Sequence, residues 1–311
     1  MTAAPSRARV DYPCVRCNNE TDAFVGTERL KAGLCRDCYG KKPDLRPREL
    51  NDLSGKEWAQ SSRSIQEYPD TRSPKQREHG AAFPMSLAKQ QISVYTKKGQ
   101  TVLDPFVGVG TTLDACADIG RRGIGIELND HYADLAEADL TSSDQVLIRG
   151  DAMKLDSYVA NESVDMVLTS PPYGDLLKNV KGAFAHKWRE HSTIAPLANP
   201  EPYSDSEDDL GNMKYDKFLD AIEVVLRKTH AALKPGGYAV WVVKDFRAMK
   251  AKIPFVPFHM HVMERAEAAG FRLWDIQIYD QTRFRPLVCL GYPSSNYYLN
   301  IGHSYNLVIR K

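Results

Sequence analysis

Thr169-Ser-Pro-Pro-Tyr173 holds the residue types most specialised for chemistry in the 311-residue chain. Two consecutive prolines expose backbone carbonyls for which no local amide competes. Tyr173 follows with a ring that can stack on a flat ligand. A plain turn or a proline-rich ligand has the same composition, but neither fits directly after a buried strand. Three further stations precede it. Asp104-Pro-Phe-Val-Gly-Val-Gly110 carries glycines that let a backbone approach a ligand closely. Glu127 ends the next apolar run, where a carboxylate can accept from ribose hydroxyls. Asp151, in Arg149-Gly-Asp-Ala152, can accept from an adenine amino group. Taken singly, each acid also reads as a cap or a surface residue. Three successive strand ends furnished for one nucleoside favour binding.

The cysteines suggest different chemistry. Four of the six form Cys14-x-x-Cys17 and Cys35-x-x-Cys38, with 17 residues between the pairs. That spacing fits a four-thiolate zinc site. Disulfides would need an oxidising compartment, and a redox CxxC ordinarily opens a helix after a strand. The expectation is structural Zn2+ held by Cys14, Cys17, Cys35 and Cys38 in a zinc-ribbon or treble-clef module over residues 1–42. Four thiolates leave the metal no open position for catalysis. Arg16, Arg29, Lys31, Arg36, Lys41 and Lys42 either touch phosphates or solvate that module. Cys116 and Cys289 stand alone and read as core residues.

Elements must position these stations. Residues 43–78, rich in Pro, Ser, Arg and Asp, read as a linker anchored by Trp58 and Ile65. From residue 79 onward short β-branched runs alternate with helical patterns. Strands are expected at 101–106, 123–128, 145–148, 164–169, 238–243, 272–279 and 305–309. Helices are expected at 111–119, capped by Thr111 or Thr112, and at 130–140, 217–233 and 262–269. Lys234-Pro-Gly-Gly237 should stop the third of these. The alternation predicts an α/β fold with a seven-stranded, mostly parallel, Rossmann-like sheet covered on both faces, and ligands beyond the strands' carboxyl ends.

Taken together, these motifs resemble the amino-methylating DNA methyltransferases of the N4-cytosine/N6-adenine family. The resemblance runs over residues 79–311. It includes His79-Gly-Ala-Ala-Phe-Pro84, DPFVGVGTT, the IEL strand, the TSPPY segment and the closing His303-Ser-Tyr-Asn-Leu-Val-Ile-Arg-Lys311. Cofactor motifs precede the catalytic motif, as in the family's γ arrangement. No long, separate target-recognition domain is expected after the last strand, a departure from many restriction-associated members of that family. The resemblance implies S-adenosyl-L-methionine held by Phe83, Pro84, Asp104, Phe106, Gly108, Gly110, Thr111, Thr112, Glu127, Asp151 and Ala152. It implies a catalytic set of Ser170, Pro171, Pro172 and Tyr173, with direct in-line transfer of a methyl group to an exocyclic amine of a flipped base. Serine in the first tetrad position goes with N4 of cytosine more often than with N6 of adenine. Its hydroxyl can accept from the amine and also donate to a cytosine ring nitrogen. An RNA guanine-amino methyltransferase is a weaker alternative, and a non-catalytic zinc-containing adaptor weaker still.

Charge bounds the partners. Lys plus Arg is 41, Asp plus Glu 40, and the net charge +1, which excludes binding by bulk charge and requires a local basic face. Three loops should supply it: residues 174–212 with Lys178, Lys181, Lys187 and Arg189; 244–258 with Lys244, Arg247, Lys250 and Lys252; and 280–304 with Arg283 and Arg285. The acidic run 205–209 should be solvated and remote from phosphates. DNA is the expected partner, with a cognate restriction endonuclease as a candidate second. No apolar run approaches the ~20 residues of a membrane span, and the N-terminus lacks a signal-like apolar stretch. The expected location is the cytoplasm of a bacterial, archaeal or phage-infected cell.

Overall fold

The computed structural model describes residues 8–14, 20–25, 27–31, 34–36, 50–69, 71–140, 142–175, 209–248, 251–283 and 298–311. The chain divides into two compact units, Met1–Glu49 and Leu50–Lys311. In the smaller, β1 (Arg9–Pro13) and β2 (Glu20–Phe24) pair antiparallel, followed by α1 (Glu28–Lys31). Cys14 and Cys35 are both buried and meet in one cluster with Leu34. The Tyr12 hydroxyl donates to the Leu34 carbonyl at 2.5 Å, tying the strand to the second cysteine segment. Cys17 and Cys38 lie outside the described residues. Among the described residues no group of three or more metal-ligating side chains occurs.

The larger unit opens with α2 (Gly55–Ser61), β3 (Ile65–Glu67), α3 (Pro74–His79) and α4 (Met85–Tyr95). There follow β4 (Thr101–Asp104), α5 (Thr111–Asp118), β5 (Arg122–Glu127), α6 (Asp130–Glu137), β6 (Gln145–Arg149), a 3-10 turn (Ala152–Ser157) and β7 (Val164–Thr169). A second 3-10 turn (Leu210–Asn212) leads to α7 (Tyr215–Ala232) and β8 (Leu233–Val243). The hairpin strands β9 (Phe246–Ala248) and β10 (Ile253–Val256) precede α8 (Phe258–Ala268), β11 (Arg272–Asp280) and β12 (His303–Arg310).

The main sheet has eight strands in the order β3-β11-β12-β8-β7-β4-β5-β6. Only β12 runs against the rest. The expected count of seven is therefore one short. The eighth strand, β3, lies in the segment expected to be linker and pairs parallel with β11, Ile65 opposite Ile278. Three residues with no buried apolar pattern give periodicity nothing to detect. The anchors also differ. Trp58 is 45% exposed and Ile65 61%, whereas Tyr68 is buried and donates to Gln277 Oε1 at 2.8 Å.

Strand β8 shows why both faces are covered. Ala239, Trp241 and Val243 point into one core with Phe218, Ile222 and Phe258. Tyr238, Val240 and Val242 point into the other with Leu87, Ile92 and Val308. This is strand period two with both faces apolar. Lys234-Pro-Gly-Gly237 is absorbed at the start of β8, with a register shift against β7. Helix α5 is capped by neither threonine. Its N-cap is Gly110 in the left-handed region, and Thr112 turns inward. No described helix is long and apolar enough to cross a membrane.

Candidate active site

Strand order reverses beside β4, which has β5 on one side and β7 on the other. Such a switch point opens a crevice beyond the carboxyl ends of the strands. Asp104 ends β4 within that crevice but does not face it. Its carboxylate is 1% exposed and accepts from Thr112 Oγ1, from Thr169 Oγ1 at 2.6 Å and from the Phe106 amide at 3.0 Å. Burial pushes its pKa up to about 6 despite those three donors. Asp104 thus bolts the glycine loop, α5 and the tetrad strand together.

Glu127 ends β5 on the crevice side. Oε2 accepts from the Gly108 amide and Oε1 from the Asn129 amide, both at 2.8 Å. Each oxygen keeps a further lone pair for a ligand. Burial raises its pKa to about 7, the backbone amides of Asn129 and Gly108 pull it down, and the Asp104 and Asp209 carboxylates push it up. Asp209 is therefore not solvated, and residues 205–208 lie outside the described residues. It is buried, caps the turn at Gly211 and adds its charge to the crevice. On the neighbouring strand end, Asp151 Oδ1 accepts from the Met153 amide at 2.8 Å, and Ala152 is buried beneath it.

The glycine loop is shaped by its roof. Gly108 has φ +54°, and a β-carbon there would sit 2.8 Å from His79 Nε2. Gly110 has φ +85°, with the Ala136 side chain 3.1 Å from the same virtual position. His79 packs on Tyr132, rings 4.6 Å apart, and burial first, then Arg72, lowers its pKa to about 4, so the ring is neutral. Gln76 Nε2 donates to Thr111 Oγ1 at 3.0 Å and to the Phe83 carbonyl at 3.2 Å. Lys75, also buried, bridges Asp114 at 2.8 Å and Asp139 at 2.9 Å. Pro84 caps α4, and Phe106 packs edge-on to Trp241 at 6.3 Å. Gln76 and Lys75 were not legible as site residues, because both types normally face water.

The tetrad leaves β7 beside β8. Ser170 Oγ donates to the Val242 carbonyl at 2.9 Å. The proton expected to reach a cytosine ring nitrogen is engaged there, so the oxygen presents lone pairs to the crevice. Pro171 is buried and Pro172 half-buried. The Tyr173 ring lies 4.8 Å from Phe258 and 5.7 Å from Phe246, which fix its plane. Gly174, at φ +66°, would drive a β-carbon to 3.0 Å from the Phe218 ring, so only glycine turns the chain here. Glycine directly after the tetrad was the available signal for this turn.

Of the expected basic face, Lys178, Lys181, Lys187, Arg189, Lys250 and Arg285 lie outside the described residues. Lys244 Nζ donates to Gln281 Oε1 at 2.8 Å, and Arg283 lies exposed, 3.5 Å from Glu67. Arg247 is engaged within the fold. Its two terminal nitrogens donate to the Pro254 and Leu299 carbonyls at 2.7 and 2.8 Å, which makes it a clamp.

A family model described as DNA methylase, covering N6 and N4 enzymes, matches residues 35–138 and 164–311. The chain belongs to this DNA methylase family. Individual relatives share shorter stretches. The type II methyltransferase M.MthZI of Methanothermobacter thermautotrophicus is 43% identical over 67 residues, 22% of this chain and 19% of that protein. M.BglI of Bacillus subtilis, another type II methyltransferase, is 40% identical over 100 residues, 32% of this chain and 28% of its own length. These alignments thus span under a third of either curated relative. Among solved structures, a TehB-like SAM-dependent methyltransferase from Corynebacterium glutamicum aligns over 72% of this chain and 86% of its own, with 16% identity and a TM-score of 0.41. The family match includes the glycine loop, Glu127 and the tetrad. It omits residues 139–163, where Asp151 sits.

Proposed function

We propose that this DNA methylase transfers a methyl group from S-adenosyl-L-methionine to the exocyclic N4 of cytosine in duplex DNA. The Ser170 to Val242 hydrogen bond beside Pro171 and Tyr173 supports transfer to an exocyclic amine, and the choice of cytosine rests on serine in the first tetrad position. An aromatic amine is a weak nucleophile because its lone pair is delocalised into the ring. A hydroxyl whose own proton is given away can only accept. Ser170 Oγ and the Pro171 carbonyl would hold the two N–H groups and localise the lone pair on nitrogen. Tyr173, fixed by Phe246 and Phe258, would stack on the extruded base, a contact worth roughly 1–3 kcal/mol. Holding amine and methyl donor in line supplies much of the remaining acceleration.

The donor set fits the cofactor. Glu127 and Asp151 end adjacent parallel strands, Glu127 opposite Arg149, and offer carboxylates for ribose hydroxyls and an adenine amine. Gly108 and Gly110 keep the loop beneath them free of β-carbons. When bound, the cofactor supplies an electrophilic sulfonium methyl. Neither Cys116, buried in the core, nor a covalent intermediate is required.

The smaller unit is proposed to hold one structural Zn2+ through Cys14, Cys17, Cys35 and Cys38. The shared burial of Cys14 and Cys35 supports it. The basic rim, with Lys178, Lys181, Lys187, Arg189, Lys244, Arg283 and Arg285, is proposed to meet phosphates. A cognate restriction endonuclease is the proposed second partner, to be looked for in the neighbouring reading frames. The test is to express the chain in a modification-free host, digest its DNA and identify the nucleosides by mass spectrometry. N4-methylcytosine is expected. N6-methyladenine alone would move the target to adenine, and unmodified DNA with methylated RNA would overturn the reading.

A further inference from the structure

We propose that the β9–β10 hairpin, with the segment 298–300 fastened to it, is a wedge that enters the duplex and holds the target base pair open. This rests on the DNA methyltransferase reading above. The hairpin leaves the sheet at the catalytic pocket. Val242 of β8 accepts from Ser170, and four residues later Phe246 of β9 packs 5.7 Å from the Tyr173 ring. The inner side of the hairpin, Phe246, Ala248 and Val256, is buried. Its outer side is apolar yet exposed. Phe255 is 43% exposed and Leu299, alongside it, 66%.

Single exposed apolar residues are ordinary. These two are held in place, which is not. The Arg247 guanidinium lies over the Phe255 ring at 5.5 Å and the Tyr298 ring at 5.2 Å. It donates to the Pro254 carbonyl across the hairpin and to the Leu299 carbonyl in the other segment. One side chain thus clamps both segments into a single edge. The neck behind Leu299 is closed as well, by the Gln281 amide donating to the Gly302 carbonyl at 2.8 Å. Lys252 stands exposed at the turn with φ +60°.

A rigid apolar edge carrying cations at its back and tip matches a base stack bordered by phosphates. Proteins that unstack DNA insert side chains of this kind, and a base extruded for chemistry leaves a gap that such an edge can fill. A second copy of the chain, or another protein, would match the apolar edge but not the cations beside it.

The test uses the full-length protein and two duplexes containing its methylation site, identical except that the target base faces either its normal partner or an abasic position. Phe255→Ala and Leu299→Ala, singly and together, should slow transfer to the paired duplex by about tenfold or more. They should methylate the abasic-opposed duplex within about twofold of the unmodified protein, because that base pair is already broken. Phe255→Trp should retain transfer to the paired duplex, showing that the edge needs bulk rather than phenylalanine itself. Equal losses on both duplexes, or no loss on either, would overturn the wedge. So would a self-association seen in sedimentation that Phe255→Ala abolishes, because the edge would then be a protein interface. If the unmodified protein methylates neither duplex, the DNA methyltransferase reading itself has failed and the wedge falls with it.

Discussion

Two side chains set what the crevice can do. Ser170 can stand as a pure acceptor only because Val242, on the neighbouring strand, takes its proton. Removing that acceptor should leave cofactor binding intact and cost transfer. Ser170→Ala is expected to slow single-turnover methylation by about a hundredfold, the scale of losing one preorganised polar contact to the reacting group. Isothermal titration should show unchanged affinity for S-adenosylmethionine. Glu127 is proposed to govern cofactor binding instead. Burial raises its pKa to about 7, and ribose hydroxyls donate most strongly to the ionised carboxylate. Ligand binding must then release a proton below that value. Affinity for the cofactor should rise by up to roughly tenfold per pH unit as pH increases toward 7 and level off above it. Titrations from pH 5.5 to 8.5 check the sign. A flat profile would mean that Glu127 is already ionised or does not reach the ribose.

The elements show how one position can be set by another distant in sequence. Gly108 lacks a side chain because His79 of α3 occupies the space, and its φ of +54° would strain any replacement. Gly108→Ala should weaken cofactor binding and lower the melting temperature, by about 1–3 kcal/mol of combined strain and overpacking. Adding His79→Ala should recover the steric part and leave the conformational part, so the double variant should fall between the two. Thermal melts and cofactor titrations on the three proteins test this coupling. The parallel strands and their order along the chain were legible, since β4, β5, β7 and β8 are buried apolar runs bounded by turn residues. The strand-end positions of the glycine loop, Glu127 and the tetrad were legible for the same reason, since each closes or directly follows one of those runs. The roof was not. Gln76 and Lys75 are polar residues buried by partners on α5, at Phe83 before α4 and at Asp139 after α6, and only the fold brings those partners near. Strand β3 escaped for a related reason. It exists because β11 offers an edge, not because Ile65–Glu67 carries a strand pattern.

At the scale of the whole molecule, a net charge of +1 says little about where charge is used. Asp104, Glu127 and Asp209 gather inside the larger unit, where burial first, and the two neighbouring carboxylates after it, raise the pKa of Glu127. Counting four cysteines as thiolates around one Zn2+ would tip the balance slightly negative. On the proposed function, DNA would have to be gripped through local loops rather than by bulk charge. The two compact units also separate two sources of stability. The larger has two extended apolar cores, whereas among the described residues the smaller has one hairpin and a cluster of Cys14, Leu34 and Cys35. A unit of 49 residues is small enough that a metal staple would contribute much of its stability. Zinc analysis of the purified protein should return about one ion per chain if four thiolates form one site. Chelation should then remove a separate low-temperature transition in calorimetry. The main transition, and cofactor affinity, should stay where they were, because neither core depends on the thiolates. Cys14→Ser should reproduce the chelated profile without chelator. A protein free of zinc, or a main transition that shifts with the metal, would show that the smaller unit is held together by something else.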